Sequence, residues 1–362
     1  MAQYLIPLVL LFAASGLTSF VATGIVKRAT LRIGLVDQPD SRKIHVEATP
    51  RLGGLAIIFG FGFPLLLLAG NPKAAELVTK NLSYLFAVLA SGSLIVGLGV
   101  YDDLLGTNAP KKFIVQTAAA IILVTFGFHF DFVSLAGRNF NLGLLGVIAS
   151  VFWIVGVINA MNFIDGIDSL ATVVSITIAV SFAAIAVFRA DVFSLVIMTA
   201  LAGSLIGFYP WNKPPAKIFM GDSGSLFIGL LLAAISIARP SKSPTALIIG
   251  GPMLALALPV LDTLFVMRAR ISGPHASFGS RLSRVFTADR NHIHHVLVAK
   301  YGSIAKAIFG IWFVTLLFAV AAVMTVIQST KRFGYAAGLI GILLLVVMRF
   351  RRSSANTQTH EA

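Results

Sequence analysis

The sequence predicts an all-α fold, a polytopic integral membrane protein of about ten or eleven transmembrane helices. Three observations carry this. Of the 362 residues, 57% are hydrophobic and only 12% are charged; a soluble domain carries about twice that charged share. The mean hydropathy is +0.91. Apolar runs long enough for a bilayer helix recur from one end to the other, with short polar stretches between them.

The first run, 4–26, reads "YLIPLVLLFAASGLTSFVATGIV". No cation precedes it, and Lys27, Arg28 and Arg32 follow it. A signal peptide carries its cations before the apolar core, so the run is expected to be a first span with its N-terminus outside. Further runs lie near 53–70, 82–100, 113–129, 142–158, 167–188, 192–208, 224–238, 246–266, 304–327 and 333–349. The run at 224–238 is short and the pair around 190 is divided by a tight turn, which keeps ten helices as an alternative to eleven. No soluble domain fits between the runs. One transmembrane domain is expected over 1–349, and 350–362, "FRRSSANTQTHEA", reads as a disordered cytoplasmic tail.

Alternation places the loops near 27–52, 100–112, 159–166, 209–223 and 267–303, with the tail, on one face. These loops hold most of the 28 Lys and Arg, so this face is expected to be cytoplasmic. The net charge of +14 follows from the same rule and calls for no nucleic acid. It also suits an anionic substrate. The chain has no cysteine, which excludes disulfides, thiolate nucleophiles and cysteine zinc sites. Apart from Glu76, Asp131 and Asp191, the acids fall in, or within about a turn or two of, the cytoplasmic loops. Positive-inside bias accounts for cations but not for acids collected on the same face.

Four motifs hold six of those acids and their neighbours. In "GVYDDLLG", 99–106, Asp102 and Asp103 end a span, where carboxylates oppose the helix dipole. Adjacent acids suit metal-phosphate chemistry or proton abstraction. Of the following Lys111 and Lys112, the second stands at the membrane edge and is assigned to a phosphate. In "NAMNFIDGIDSLA", 159–171, Asn159 and Asn162 share a helix face, and Asp165 and Asp168 flank Gly166. Capping would use one or two of these groups rather than four. In "KIFMGDSGSLFIG", 217–229, a helix start offers free N–H groups as an anion site, and Asp222 can hold a hard cation or simply cap the helix. In "ADRNHIHHVL", 288–297, His292 and His295 are expected on one helix face with His294 pointing elsewhere. With no cysteine nearby, imidazoles gripping a phosphate or sugar fit better than a transition metal. Arg281, Arg284 and Arg290 stand near for phosphate contacts.

Two softer features remain. Arg42, Lys43, His45 and Arg51 form a basic loop within "DQPDSRKIHVEATPRLGG", 37–54. Asp262, near the cytoplasmic end of its span, is either a member of the site or a partner for Arg268 or Arg270. Acids and cations on one face, opening onto lipid, point to Mg²⁺ and phosphoryl transfer between a soluble activated group and a lipid phosphate.

These five segments, in this order and spacing, resemble the polyprenyl-phosphate N-acetylhexosamine-1-phosphate transferase superfamily (glycosyltransferase family 4). The resemblance covers about residues 1–330. It implies a Mg²⁺ cofactor, for which Mn²⁺ can substitute, a UDP-N-acetylhexosamine donor and an undecaprenyl phosphate acceptor. The implied products are the lipid diphospho-sugar and UMP. It further implies a bacterial inner (plasma) membrane location with a cytoplasmic active site. The bilayer is the expected partner, nucleic acid is not, and a homodimer stays open.

Residue by residue, Asp102 and Asp103 match the paired aspartates, one of which deprotonates or orients the lipid phosphate. Asp222 matches a metal-binding aspartate and Asn162 an asparagine that approaches the metal. Asp165 and Asp168 match acids of nucleotide binding or catalysis, and Lys112 a lysine near the phosphates. His292, His294 and His295 match the histidine-rich loop of substrate recognition, and Arg290, which stands near them, is assigned to substrate binding from its position. Asn159 goes with substrate binding, or holds the helix end. Two positions depart from the pattern: Gly106 stands where some members have a third acid, and Ser169 replaces the second glycine of "DGxDG".

"HIHH" and "RKIH" resemble the undecaprenyl-phosphate GlcNAc-1-phosphate transferase-like branch, which starts O-antigen, enterobacterial common antigen or teichoic acid. The sugar stays open between GlcNAc and N-acetylated 6-deoxyhexoses. The alternative is the phospho-MurNAc-pentapeptide transferase of peptidoglycan synthesis. A transporter is the remote alternative, since it would place its acids near mid-membrane in broken helices. A CDP-alcohol phosphotransferase would need an arginine that "DGIDSLA" lacks.

Overall fold

The computed structural model describes residues 5–37, 49–70, 72–135, 138–238, 251–271 and 292–350. Arg42, Lys43, His45, Arg281, Arg284, Arg290 and, of the tail expected over 350–362, residues 351–362 lie outside them, while Phe350 is helical. Every apolar run singled out above contains a helix. In chain order these are α1 (Leu5–Arg32), α2 (Gly53–Ala69), α4 (Leu82–Leu105), α5 (Ala109–Thr125), α6 (Gly143–Ile164), α7 (Leu170–Phe188), α8 (Val192–Asn212), α9 (Gly221–Ile237), the pair α10 (Gly251–Ala255) and α11 (Ala257–Ile271), α13 (Ile304–Val326) and α14 (Lys331–Phe350). Two short helices join them, α3 (Pro72–Lys80) and α12 (Ile293–Tyr301).

Among the described residues, seven helices are long and apolar enough to cross a bilayer: α1, α4, α6, α7, α8, α13 and α14. The chain is a multi-pass, all-α membrane protein. The remaining runs fold shorter. α2, α5 and α9 have 17 residues each, and the run near 246–266 is interrupted between α10 and α11. The interruption has a local cause, because Pro259 cannot donate the helical bond to Ala255. The tight turn expected near 190 is present, with Ala190 at φ 54°.

Strands were not expected, and two small antiparallel pairs occur among the described residues. β1 (Val36–Asp37) pairs with β2 (Thr49–Pro50), and β3 (Phe132–Leu135) with β4 (Arg138–Asn141) between α5 and α6. Both are too short to carry a periodic signal in the sequence.

α9 forms the centre of the bundle. Every residue from Ser223 to Ile235 is buried, as an all-round apolar helix must be. It is packed by α2, α4, α6 and α7. Glycines let its first turn come in close: a Cβ on Gly54 would stand 2.1 Å from the Gly224 nitrogen, and one on Gly99 2.4 Å from the Ser223 Cα. The Gly53 and Gly54 N–H groups donate to the carbonyls of Phe219 and Met220 at 2.9 and 2.7 Å. The loop before α9 is thereby tied to the start of α2. This packing brings the last turns of α4 and α6 and the first turns of α5 and α9 to one end of the bundle.

Candidate active site

Asp102 and Asp103 are neighbours in sequence but face different tasks. The Asp103 carboxylate accepts the N–H of Asp222 at 2.8 Å and of Ser223 at 3.0 Å. It caps α9 from another helix, since the N-cap residue Met220 makes no side-chain cap. This corrects the expectation that those N–H groups are free to bind a substrate anion, and it explains how an acid survives at the C-terminal end of α4. The positive end of α9 faces it and offsets the unfavourable end of its own helix. Gly221, at φ 72°, makes room: a Cβ there would stand 2.6 Å from an Asp103 oxygen.

Asp102 faces a shared centre. The Lys112 ammonium, on the first turn of α5, donates to Asp102 Oδ2 at 2.9 Å and to Asp222 Oδ2 at 2.5 Å. Asn162, on the last turn of α6, donates from Nδ2 to Asp222 Oδ1 at 3.0 Å and to Ser225 Oγ at 2.9 Å. Four helix ends thus meet at two carboxylates that grip one cationic group.

Mg²⁺ is usually held by one or two carboxylates plus substrate phosphates. The residues fit it: Asp102 and Asp222 are hard oxygen donors converging where a positive charge already sits. Among the described residues no set of three or more His, Asp or Glu side chains could hold a metal unaided.

Asp165 follows α6 directly and is half-buried. Desolvation of its carboxyl, reinforced by Asp222, Asp103 and Asp168, pushes its pKa up to about 8. Such a group keeps its proton at neutral pH and can exchange it within the working range. Asp168 is one step removed. Its Oδ2 accepts the Ala216 N–H at 2.9 Å and so holds the loop between α8 and α9. Ser169 takes the left-handed conformation, φ 60°, that a second glycine would adopt without strain.

Asn159 lies one turn deeper and is not at this centre. Its Nδ2 donates to Gln116 Oε1 at 2.7 Å and to the Val155 carbonyl at 2.8 Å. Gln116, 1% exposed, completes an amide pair that ties α5 to α6. Of the two sequence readings for Asn159, the geometry matches the structural one.

The histidines sit differently from the expected face sharing. α12 begins at Ile293, and His292 is its extended N-cap, so the three-residue helical spacing does not apply between His292 and His295. The rings of His292 and His294 stack at 5.9 Å and 9°, and His295 lies 4.2 Å from His294. Phe163 of α6 closes the row 5.1 Å from His292. His294 is 2% exposed and rests on Gly166, where a Cβ would stand 2.2 Å from its Nε2. Among the described residues neither of its ring nitrogens has a hydrogen-bond partner. Burial, then its neighbours His295 and His292, lowers its pKa to about 3, so it is a neutral imidazole at physiological pH. Asp262, read from sequence either as a site member or as a partner for Arg268 or Arg270, is bonded among the described residues to His292, the Ile293 N–H and Arg349.

Sequence reading missed Gln116, Ser225 and Arg349. The first two had a signal: Gln116 follows Lys112 by one helical turn, and Ser225 follows Asp222 by three residues. Arg349 had none, because its partner stands 87 residues away.

A family model, glycosyl transferase family 4, matches residues 85–239, the segment that contains every residue of the carboxylate centre. The chain is 34% identical over 324 residues to a Bacillus subtilis protein named "probable undecaprenyl-phosphate N-acetylglucosaminyl 1-phosphate transferase", covering 89% of this chain and 86% of that one. It is 30% identical over 371 residues to the decaprenyl-phosphate N-acetylglucosaminephosphotransferase of Mycolicibacterium smegmatis, covering 94% and 87%. A phospho-N-acetylmuramoyl-pentapeptide-transferase of Streptococcus pneumoniae is 31% identical over 255 residues, covering 66% and 76%.

Proposed function

Because the chain belongs to glycosyl transferase family 4, in the branch of the polyprenyl-phosphate N-acetylhexosamine-1-phosphate transferases, we propose that it transfers N-acetylhexosamine 1-phosphate from a UDP-sugar to undecaprenyl phosphate. The products are undecaprenyl-diphospho-sugar and UMP. The reaction takes place at the cytoplasmic face of the bacterial inner membrane. It starts a cell-envelope polysaccharide, O-antigen among them. The names of the B. subtilis and M. smegmatis relatives favour N-acetylglucosamine as the sugar.

The observation that carries this reading is the convergence of Asp102 and Asp222 on one cation position, with Lys112 and Asn162, at four helix ends. The surroundings suit a lipid phosphate. Tyr101, Leu105, Phe113 and Ile114, next to Asp102 and Lys112, expose apolar surface, 72% for Leu105 and 67% for Ile114.

Asp102 and Asp222 would hold Mg²⁺, which screens the diphosphate charge when bound. Lys112 offsets the charge that gathers on the departing phosphate. Asp102 orients the acceptor phosphate and takes its proton where one remains. An acceptor oxygen forms its bond to the sugar-bearing phosphorus, the bond to the bridging oxygen breaks, and the electron pair leaves with UMP. Asn162 and Asp103 hold Asp222 in place. His294, seated on Gly166 with both ring nitrogens buried, supports the turn that bears Asp165 on the side we assign to the nucleotide-sugar.

Purified protein with Mg²⁺, undecaprenyl phosphate and a panel of UDP-sugars is expected to release UMP, with EDTA abolishing turnover. Silence on every N-acetylhexosamine donor would sink the reading. Including UDP-MurNAc-pentapeptide in the panel decides the peptidoglycan alternative. Gly166→Ala drives a Cβ into the His294 ring and is expected to lower kcat/KM at least about tenfold, about 1.4 kcal/mol. Steady-state kinetics on the folded variant checks this, and kcat/KM at the wild-type value would remove His294 from the site.

A further inference from the structure

Asp262 belongs to α11 and takes no part in the chemistry above. It is 1% exposed, and a carboxylate at that depth needs both a counter-charge and filled hydrogen bonds. Three donors provide them. Arg349 Nη1 reaches Oδ1 at 2.7 Å, the Ile293 N–H reaches Oδ1 at 3.0 Å, and His292 Nδ1 reaches Oδ2 at 2.9 Å. Arg349 stands on the last turn of α14, and its guanidinium lies 5.3 Å from the Phe265 ring centroid.

The partners of Asp262 decide what it can do. His292 and Ile293 are the N-cap and first residue of α12, so Asp262 anchors the start of the helix that carries the imidazoles. An ionised carboxylate can only accept, so His292 carries its proton on Nδ1 and its tautomer is set. The His292 ring stacks on His294, and His294 rests on Gly166. A continuous line of contacts therefore runs from α14 through Arg349, Asp262, His292 and His294 to the turn that bears Asp165.

We propose that Asp262 and Arg349 are positioning residues for the nucleotide-sugar. Together they hold His292 and the start of α12 so that the His294 ring stays seated on Gly166. The proposal rests on the transferase reading above. It assigns α11 and α14 a task in donor binding that neither residue performs by touching the substrate.

A purely structural tie between α11, α12 and α14 would lower stability and leave the kinetics of the folded enzyme alone. The test uses the full chain in detergent, with Arg349→Met, Arg349→Lys and Asp262→Asn. It reads thermal unfolding, kinetics for both substrates, and amide exchange over 292–301. Arg349→Met is expected to raise KM for the UDP-sugar at least about tenfold, with kcat and the KM for undecaprenyl phosphate within about threefold. Exchange at Ile293 should accelerate. Arg349→Lys keeps a donor and a charge and should bring KM back to within about threefold of wild type. Should Arg349→Met not fold, Asp262→Asn keeps an acceptor for the Ile293 N–H while losing the charge that grips His292, and it should show the same rise in KM.

Wild-type KM in Arg349→Met or in Asp262→Asn overturns the proposal. So does an equal rise in KM for the methionine and lysine variants. Failure of the wild-type enzyme on every UDP-sugar overturns the transferase reading instead. In that case faster exchange at Ile293 in Arg349→Met still supports the positioning contact, and unchanged exchange overturns it.

Discussion

Asp222→Ala is expected to cut UMP release at least about a thousandfold, about 4 kcal/mol of barrier, in a protein that still folds. Asp222 is the carboxylate at which Lys112 and Asn162 meet. Removing it takes away one of two hard oxygen donors and leaves Lys112 with Asp102 alone. The fold should survive because Asp222 does not cap its own helix: the first N–H groups of α9 are held by Asp103. Its packing comes from glycine contacts and a fully buried apolar helix. Asp222→Asn keeps the shape and loses the charge, and should fall nearly as far. Turnover at saturating donor, followed across a Mg²⁺ titration, checks both variants. Retention of more than about a tenth of wild-type turnover in Asp222→Ala would place the centre elsewhere.

The second large effect separates two adjacent acids. Asp103→Asn replaces two acceptor oxygens by one oxygen and an amide that faces an N–H donor. It also removes a negative charge from the positive end of α9. Together these should lower stability by about 1–3 kcal/mol. Turnover should fall as well, because Asp222 loses the anchor of its backbone. Asp102→Asn touches no cap, and the Asp102 side chain accepts from the Lys112 ammonium. It should lose turnover, at least about a hundredfold, with little change in melting temperature. Paired melting curves and UMP assays in the same detergent check the split. Equal loss of stability in both variants would contradict it.

Composition and periodicity made the membrane class, the helix runs and the members of the site legible, because these depend on local properties. Polar residues near a bilayer are scarce enough that Asp102, Asp103, Asn162, Asp165, Asp168 and Asp222 stood out without any coordinates. Their division of labour was not legible. Asp102 and Asp103 look alike in sequence; one grips Lys112 and the other caps a helix that begins more than a hundred residues later. Asn159 and Asn162 share a helix face, yet one turn of depth sends the first to Gln116 and the second to Asp222. Asp165 and Asp168 flank the same glycine, yet Asp168 holds a loop through the Ala216 N–H.

The same limit applies to the histidines and to Asp262. The motif "NHIHHV" announces three imidazoles, but whether they share a face depends on where the helix starts. That start is set by Asp262 and Arg349 from two other helices. Residue type and spacing along one chain state which groups need a partner in a low-dielectric setting. Which partner each receives is fixed by the packing of α4, α5, α6 and α9 at one end of the bundle, a non-local arrangement that the glycines at 54, 99 and 166 permit by close approach.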